Sequence, residues 1–280
     1  VNLENSQLVF SNKDERLGTV PVEDVGLLLI STSRASYSHG ALVAAVDAGA
    51  AVLFCDDRHH PSGLLLPMAA NSTHTKIARM QVEATKPTRK RIWKSVVTAK
   101  LRNQARLLEM TQNDGRRLKM LAKAVRSGDP ENLEGQGARL YWPRLFGKTF
   151  KRARHGFPPN NLLNYGYMVL RAAVARAVCS AGLHPAFGIH HKHRNNPFCL
   201  ADDLMEPYRP FVDRLVYGLN KADHETVDRE AKATLLGILT ETVVTAGRKG
   251  PLMVGLQRTA SSVAKTYCAE RTKVVLPEFP

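Results

Sequence analysis

At 280 residues the chain is long enough for two domains or one large one, and 44% hydrophobic against 23% charged residues is the balance of a folded rather than a disordered protein. No run of about 18 apolar residues occurs, which excludes a membrane-spanning helix, and no secretory n-region and h-region opens the chain. The formal charge of +15 is unevenly placed: the first 75 residues carry 4 Lys+Arg against 8 Asp+Glu, and the remainder carries 36 against 17. An excess concentrated in this way points to a polyanionic partner such as nucleic acid.

Residues 1–75 read as β-rich. Short apolar or β-branched runs (8–10, 19–22, 25–30, 51–55 and 64–67) are separated by Asn, Asp, Ser and Gly turn chemistry. GALVAAVDAG (40–49) interrupts them as a short helix between strands. NSTHTK (71–76) loses the apolar pattern and marks a boundary. From there helices dominate. One starts at Lys86–Pro87, with Ile92, Val96, Ala99 and Leu101 as a buried stripe and Arg89, Lys90, Arg91, Lys94, Lys100 and Arg102 as a basic face. RRLKMLAKAVR (116–126) repeats the design, SGDP breaks it, and residues 130–146 form the next helix. KTFKRARHGFPP (148–159) is a basic loop ended by Gly and Pro. The best-defined helix spans 161–181, where Leu163, Tyr167, Leu170, Val174 and Val178 keep helical spacing and Gly182 supplies the stop. A further helix through 212–219 is interrupted near its start by Pro207 and Pro210. Helices at about 223–246 and 251–269 and an irregular VVLPEFP tail complete the chain. The fold class is therefore α+β: a small N-terminal β-sandwich domain over 1–75 and a larger all-α domain over 76–280. Four cysteines without a CxxC pair, Cys55, Cys179, Cys199 and Cys268, fit reduced thiols and a cytoplasmic location.

The chemistry concentrates in LHPAFGIHHKHRNNPFCLADDLMEPYRPFVDR (183–214). Four histidines (His184, His190, His191, His193) precede Asp202, Asp203 and Glu206. Carboxylates three residues apart share one face of a helical turn, so Asp203 and Glu206 can aim at a common point. With an imidazole from the loop, such a set suits Mg²⁺ or Mn²⁺. The same residues also fit a plainer arrangement, helix-start acids favoured by the dipole beside a polar loop. Zinc fits less well, because no cysteine lies at ligand spacing.

Four segments together resemble one family: GDPENLEGQGARLYWPRLFG (128–147), NNLLNYGYMVLRAAVARAV (160–178), GLHPAFGIHHKHRNNPFCLADDLMEPYRPFVDRLV (182–216) and, more weakly, VLFCDDRHHPSGLLLP (52–67). Their order and spacing resemble the CRISPR adaptation integrase, CRISPR-associated protein 1, in its type II form. The resemblance implies an N-terminal β-sandwich on a helical domain, a homodimer, and assembly with CRISPR-associated protein 2 on double-stranded DNA, both the captured spacer DNA and the CRISPR repeat. It implies one Mg²⁺ or Mn²⁺ ion held by Glu134, His191 and Glu206, with Asp203 at the other acidic position of the catalytic set. His190 can take the imidazole's place; the spacing of fifteen residues to Glu206 favours His191. The family opens with an additional strand and a start methionine, which Val1 here follows. The implied activity is transesterification joining 3′-OH ends to the repeat, with His191 as ligand or, alternatively, as base. Lys148, Lys151, Arg152 and Arg154 are the expected DNA contacts. Two rivals use the same residues differently: a metal-dependent endonuclease acting on branched DNA, and a non-catalytic architectural DNA-binding protein.

Overall fold

The computed structural model describes residues 1–13, 15–56, 61–68, 71–153, 156–268 and 273–280. At the N-terminus β1 (Asn2–Glu4), β2 (Gln7–Asn12) and β3 (Glu15–Pro21) form an antiparallel sheet in that order. β4 (Leu27–Ile30) then runs parallel to β5 (Ala51–Cys55), and β6 (Pro61–Leu65) returns antiparallel beside β5. Parallel neighbours need a crossover, and α1 (His39–Asp47) supplies it, capped by Ser38, whose Oγ accepts from the Ala41 N–H at 3.3 Å. Leu8, Val22, Leu28, Ile30, Ala41, Ala45, Ala50 and Val52 share one small core from both sheets and α1. Side chains alternate along a strand. On β5 Val52 therefore enters that core, while Leu53 enters the large core of the helical part. One strand thus joins the two hydrophobic centres.

The helical part is built around α6 (Asn160–Ser180), buried along most of its length. Burying each of its large apolar side chains contributes roughly 1.5–3 kcal/mol before entropy is counted. Around it lie α2 (His74–Glu83), α3 (Lys86–Met110), α4 (Arg116–Ala124), α5 (Leu133–Phe146), α7 (Cys199–Met205), α8 (Arg209–Lys221), α9 (Arg229–Leu236) and α10 (Leu252–Tyr267). Gly166 lets α8 approach α6 closely, since a Cβ there meets Val212 Cγ1 at 2.4 Å. No helix among the described residues is long and apolar enough to cross a membrane, and all four cysteines are free.

Three expectations change. The 71–76 stretch is not simply a connector, because α2 starts within it at His74. The predicted helix over 223–246 is only α9 and a 3₁₀ turn, after which β7 (Thr242–Thr245) and β8 (Arg248–Pro251) form a hairpin. The tail adds β9 (Pro277–Glu278) to β7, so the C-terminal part is dominated by helices but is not all-α. The reason is local chemistry. TVVT is β-branched, and Ala246 and Gly247 both take positive φ (51° and 74°), the pair of conformations a two-residue hairpin turn requires.

Candidate active site

Four pieces of backbone bring the site together. Glu134 occupies the first turn of α5, where a negative charge faces the positive end of the helix dipole. Asp129 fixes that turn by accepting the N–H groups of Leu133 at 2.8 Å and Glu134 at 3.0 Å, and Asn132 caps it through Gly135 N–H at 3.1 Å. One turn further on, Gly137 brings α5 down on α3: a Cβ there meets Leu101 Cδ2 at 2.2 Å. From α3, Asn103 donates to the carbonyls of Pro207 (2.8 Å) and Pro277 (2.9 Å), which holds the turn carrying Glu206 against the same helix.

The result places Glu134 and Glu206 on opposite sides of one side chain, Lys100. Its Nζ hydrogen-bonds Glu134 Oε1 and forms an ion pair with Glu206 Oε2. Lys100 and Glu206 are each only 6% exposed. The basic face expected on α3 therefore loses Lys100, which turns inward. Arg209 approaches Glu206 Oε1 with Nε at 3.0 Å. Burial alone pushes the Glu206 carboxyl up, yet Arg209 and Lys100 outweigh it and hold its pKa below the ordinary range. Burial likewise pulls Lys100 down, and the charges of Glu206 and Glu134 reverse the sign and raise it. Lys100 and Glu206 therefore both stay charged at neutral pH.

Asp203 is fully buried, and it organises the histidine loop rather than meeting Glu206 head-on. Its carboxylate accepts the N–H groups of Ile189 (2.6 Å), His190 (2.9 Å) and His191 (3.2 Å). It also contacts His191 Nδ1 at 2.6 Å. That hydrogen bond is the main cause of a raised His191 pKa, reinforced by the charge of Glu206, and His191 in turn helps to lower Glu206. With Nδ1 on Asp203, Nε2 is the nitrogen left for a ligand or a proton. His190 takes a different place, its ring stacked on Trp93 with centroids 4.2 Å apart. Asp202 pairs with Arg171 through two contacts of 2.6 and 2.7 Å.

Among the described residues, no group of three His, Cys, Asp and Glu side chains stands assembled as a metal cage; Lys100 spans the two glutamates instead. The donor set nevertheless fits a hard divalent ion. Two carboxylates and an imidazole are suitable ligands, and the two glutamate oxygens, Glu134 Oε1 and Glu206 Oε2, already share one cation, the Lys100 ammonium.

The expected DNA-contacting loop divides. Lys148 and Lys151 are exposed. Arg152 is committed inward: it donates to Asn160 Oδ1 (3.0 Å) and Asn164 Oδ1 (2.7 Å) and lies 5.3 Å from the centre of the Tyr167 ring. Arg154 lies outside the described residues. A second basic feature is a cleft of about 460 Å³ between α3 and the C-terminal sheet, lined by Lys94, Arg102 and Lys273.

Sequence reasoning missed the role of Lys100, although a signal was there. Stepping by four and three residues from Trp93 gives Val97, Lys100, Gln104 and Leu107, all buried, so Lys100 falls in the stripe that faces inward. Asp129 was also missed; nothing in its spacing distinguishes it from an ordinary turn aspartate.

Residues 1–243 match the sequence family described as CRISPR associated protein Cas1. The CRISPR-associated endonuclease Cas1 of Neisseria meningitidis serogroup C (strain 8013) is 40% identical over 221 residues, covering 78% of this chain and 72% of that protein. Among solved structures, a casposase bound to its integration product superposes with a TM-score of 0.79 at 21% identity, over 98% of this chain and 89% of that one. A Cas6-RT-Cas1–Cas2 complex contains a chain that matches with a TM-score of 0.74 at 19% identity, over 97% of this chain and 34% of that one.

Proposed function

The chain belongs to the Cas1 family of CRISPR-associated endonucleases, and from that membership we propose that it joins the 3′-hydroxyl ends of captured DNA to a CRISPR repeat by transesterification. The observation that carries this reading is the meeting of Glu134 and Glu206, 72 residues apart in the chain, on one buried cation, with the Asp203-bound His191 near enough to Glu206 for their charges to interact. Glu134, Glu206 and His191 through Nε2 would hold Mg²⁺ or Mn²⁺, which supplies Lewis-acid stabilisation of charge on the reacting phosphate.

The rest of the chemistry falls to the protein's own groups. Asp203 fixes the orientation and tautomer of His191 through Nδ1, so that Nε2 faces the site as a ligand, or as the acceptor of the proton that the attacking 3′-hydroxyl gives up. Arg209 keeps Glu206 ionised. In the exchange one phosphodiester P–O bond forms to the captured 3′-oxygen and one breaks at the repeat, and the departing 3′-oxygen takes up a proton. No covalent enzyme intermediate is required.

Lys148 and Lys151, on the loop that follows α5, serve as contacts to the phosphate backbone, and the cleft of Lys94, Arg102 and Lys273 offers a second. The partners that accord with the solved relatives are DNA and the family's small companion Cas2; we add a homodimer as the working unit. The two N-terminal sheets, which share the Leu8–Val52 core, form the β-sandwich in this reading, and 1–75 and 76–280 are its two domains. Supplying a 3′-OH duplex and a repeat-bearing target with Mn²⁺ tests the proposal. Strand joining is the expected product. Cleavage without joining assigns the site to a nuclease, and binding without either reaction assigns the protein to the architectural class.

A further inference from the structure

We propose that Lys100 is a tethered cation occupying the place that a divalent ion takes between Glu134 and Glu206, so that ion binding requires Lys100 to withdraw onto another anion. The inference rests on the reading of those two glutamates as metal ligands. Three observations on the chain itself lead to it. The ammonium touches both carboxylates at once. The position is built for it: α3 keeps Lys94, Arg102 and Arg106 in solvent but places Lys100 in the inward stripe beside Val96, Val97 and Leu101, and Gly137 brings α5 close enough for Glu134 to reach it. Finally, Arg209 already stands on Glu206, so the two carboxylates are matched by two cations before any ion arrives.

An ion and an ammonium cannot both lie between the same pair of oxygens, and they repel each other if forced together. A divalent ion therefore displaces Lys100, whose four-carbon stem gives it several places to go. In a site only 6% open at Lys100, the displaced ammonium needs a new anion, and the phosphodiester of bound DNA is one that the reaction itself brings. Ion and DNA then bind cooperatively, with each raising the affinity for the other by the same factor. The isolated chain would bind Mn²⁺ weakly and fill its site when DNA is present, which confines metal-assisted strand chemistry to the complex.

The test is Mn²⁺ titration by calorimetry or electron paramagnetic resonance on the full chain without DNA, comparing wild type with Lys100→Met. The expected result is an affinity raised about tenfold or more, together with a loss of most of the ion–DNA coupling, for which about 5- to 150-fold is expected in the wild type. An affinity in Lys100→Met equal to or weaker than wild type overturns the proposal. Adding Glu134→Gln to Lys100→Met separates this from the underlying reading: if the tightened Mn²⁺ site survives without the Glu134 carboxylate, the ion lies elsewhere and the site assignment itself fails. Should Lys100→Met not fold, because two buried carboxylates lose their partner, Lys100→Gln is held to the same criterion. A variant that folds only with Mn²⁺ supports the proposal, and one that stays unfolded in saturating Mn²⁺ contradicts it.

Discussion

Two buried carboxylates lie seven residues apart on the 3₁₀ turn and helix that follow the histidine loop, and the fold treats them in opposite ways. Glu206 meets Lys100 and Arg209, and these cations keep it ionised although it is almost fully enclosed. Among the described residues Asp213 takes its hydrogen bonds from two hydroxyls: it accepts from Tyr141 at 2.7 Å and from Tyr167. Burial dominates there and raises its pKa to about 6, even though the two tyrosines and, more weakly, the charges of Arg209 and Lys100 favour the charged form. The contrast teaches that depth alone does not set the charge of a carboxylate in this protein; the partner does. A carboxylate surrounded by cations is ready for ionic chemistry, and one surrounded by tyrosines serves as a structural hub. Tyr167 connects the two, since its hydroxyl binds Asp213 while Arg209 lies 4.8 Å over its ring.

The largest effects should come from the ionic side. Glu206→Gln and Glu134→Gln are expected to lower strand joining by at least about 10²- to 10³-fold, the scale of losing a group that stabilises transition-state charge, while DNA affinity measured without divalent ion stays within a few-fold. Joining assays and fluorescence anisotropy on the same preparations check both halves, and an equal collapse of affinity would move these residues from chemistry to architecture. Asp203→Asn should follow, with Mn²⁺ affinity and joining each reduced about 10- to 100-fold. The variant loses the carboxylate that gathers three backbone N–H groups and His191 Nδ1.

The hydroxyl-lined side should appear in stability rather than activity. Asp213 holds its proton more tightly folded (pKa about 6) than in its ordinary state (3.8). Between those values the native protein carries a proton that the unfolded chain has released, so stability falls as pH rises from about 4 to about 6. The loss is up to about 3 kcal/mol and levels off above that range. Asp213→Asn should flatten this slope in urea denaturation. A slope unchanged by the substitution would mean that Asp213 is as ionised as Glu206, and the contrast would fail. Smallest is the effect expected at the exposed loop. Replacing Lys148 and Lys151 together by Ala should reduce the salt slope of DNA binding by up to ~0.9 per lysine and leave the fold unaffected.

How far the sequence carries the molecule depends on whether a residue's role follows from local pattern. Helices α3 and α6 were legible because their apolar periodicity is long, and α3 also starts on a capping Thr85 followed by Pro87 while α6 stops before Gly182. The hairpin over 242–251 was not, because a short TVVT run beside Ala-Gly competes with helical neighbours on either side, and only the positive φ pair decides it. Within the site, the helical spacing of Asp203 and Glu206 is visible from numbering, but their division of labour is not. Asp203 turns toward the 189–191 backbone and Glu206 toward α3, a difference set by tertiary packing. Arg209 and Arg214 pair with carboxylates, Glu206 and Glu241, the first three residues away and the second brought in by the fold. Lys100 and Arg152 show the opposite lesson: in a chain this basic, a single cation's direction is fixed by the face it occupies, and composition conceals it.

Whether Glu134, His191 and Glu206 serve one ion is tested most directly by anomalous diffraction from crystals grown with Mn²⁺ and a 3′-OH duplex. The predicted map has a single manganese peak bounded by both glutamate carboxylates and His191 Nε2, with Lys100 turned away from the gap. A protein with DNA bound, no peak between the glutamates and Lys100 still spanning them at saturating Mn²⁺ would contradict it.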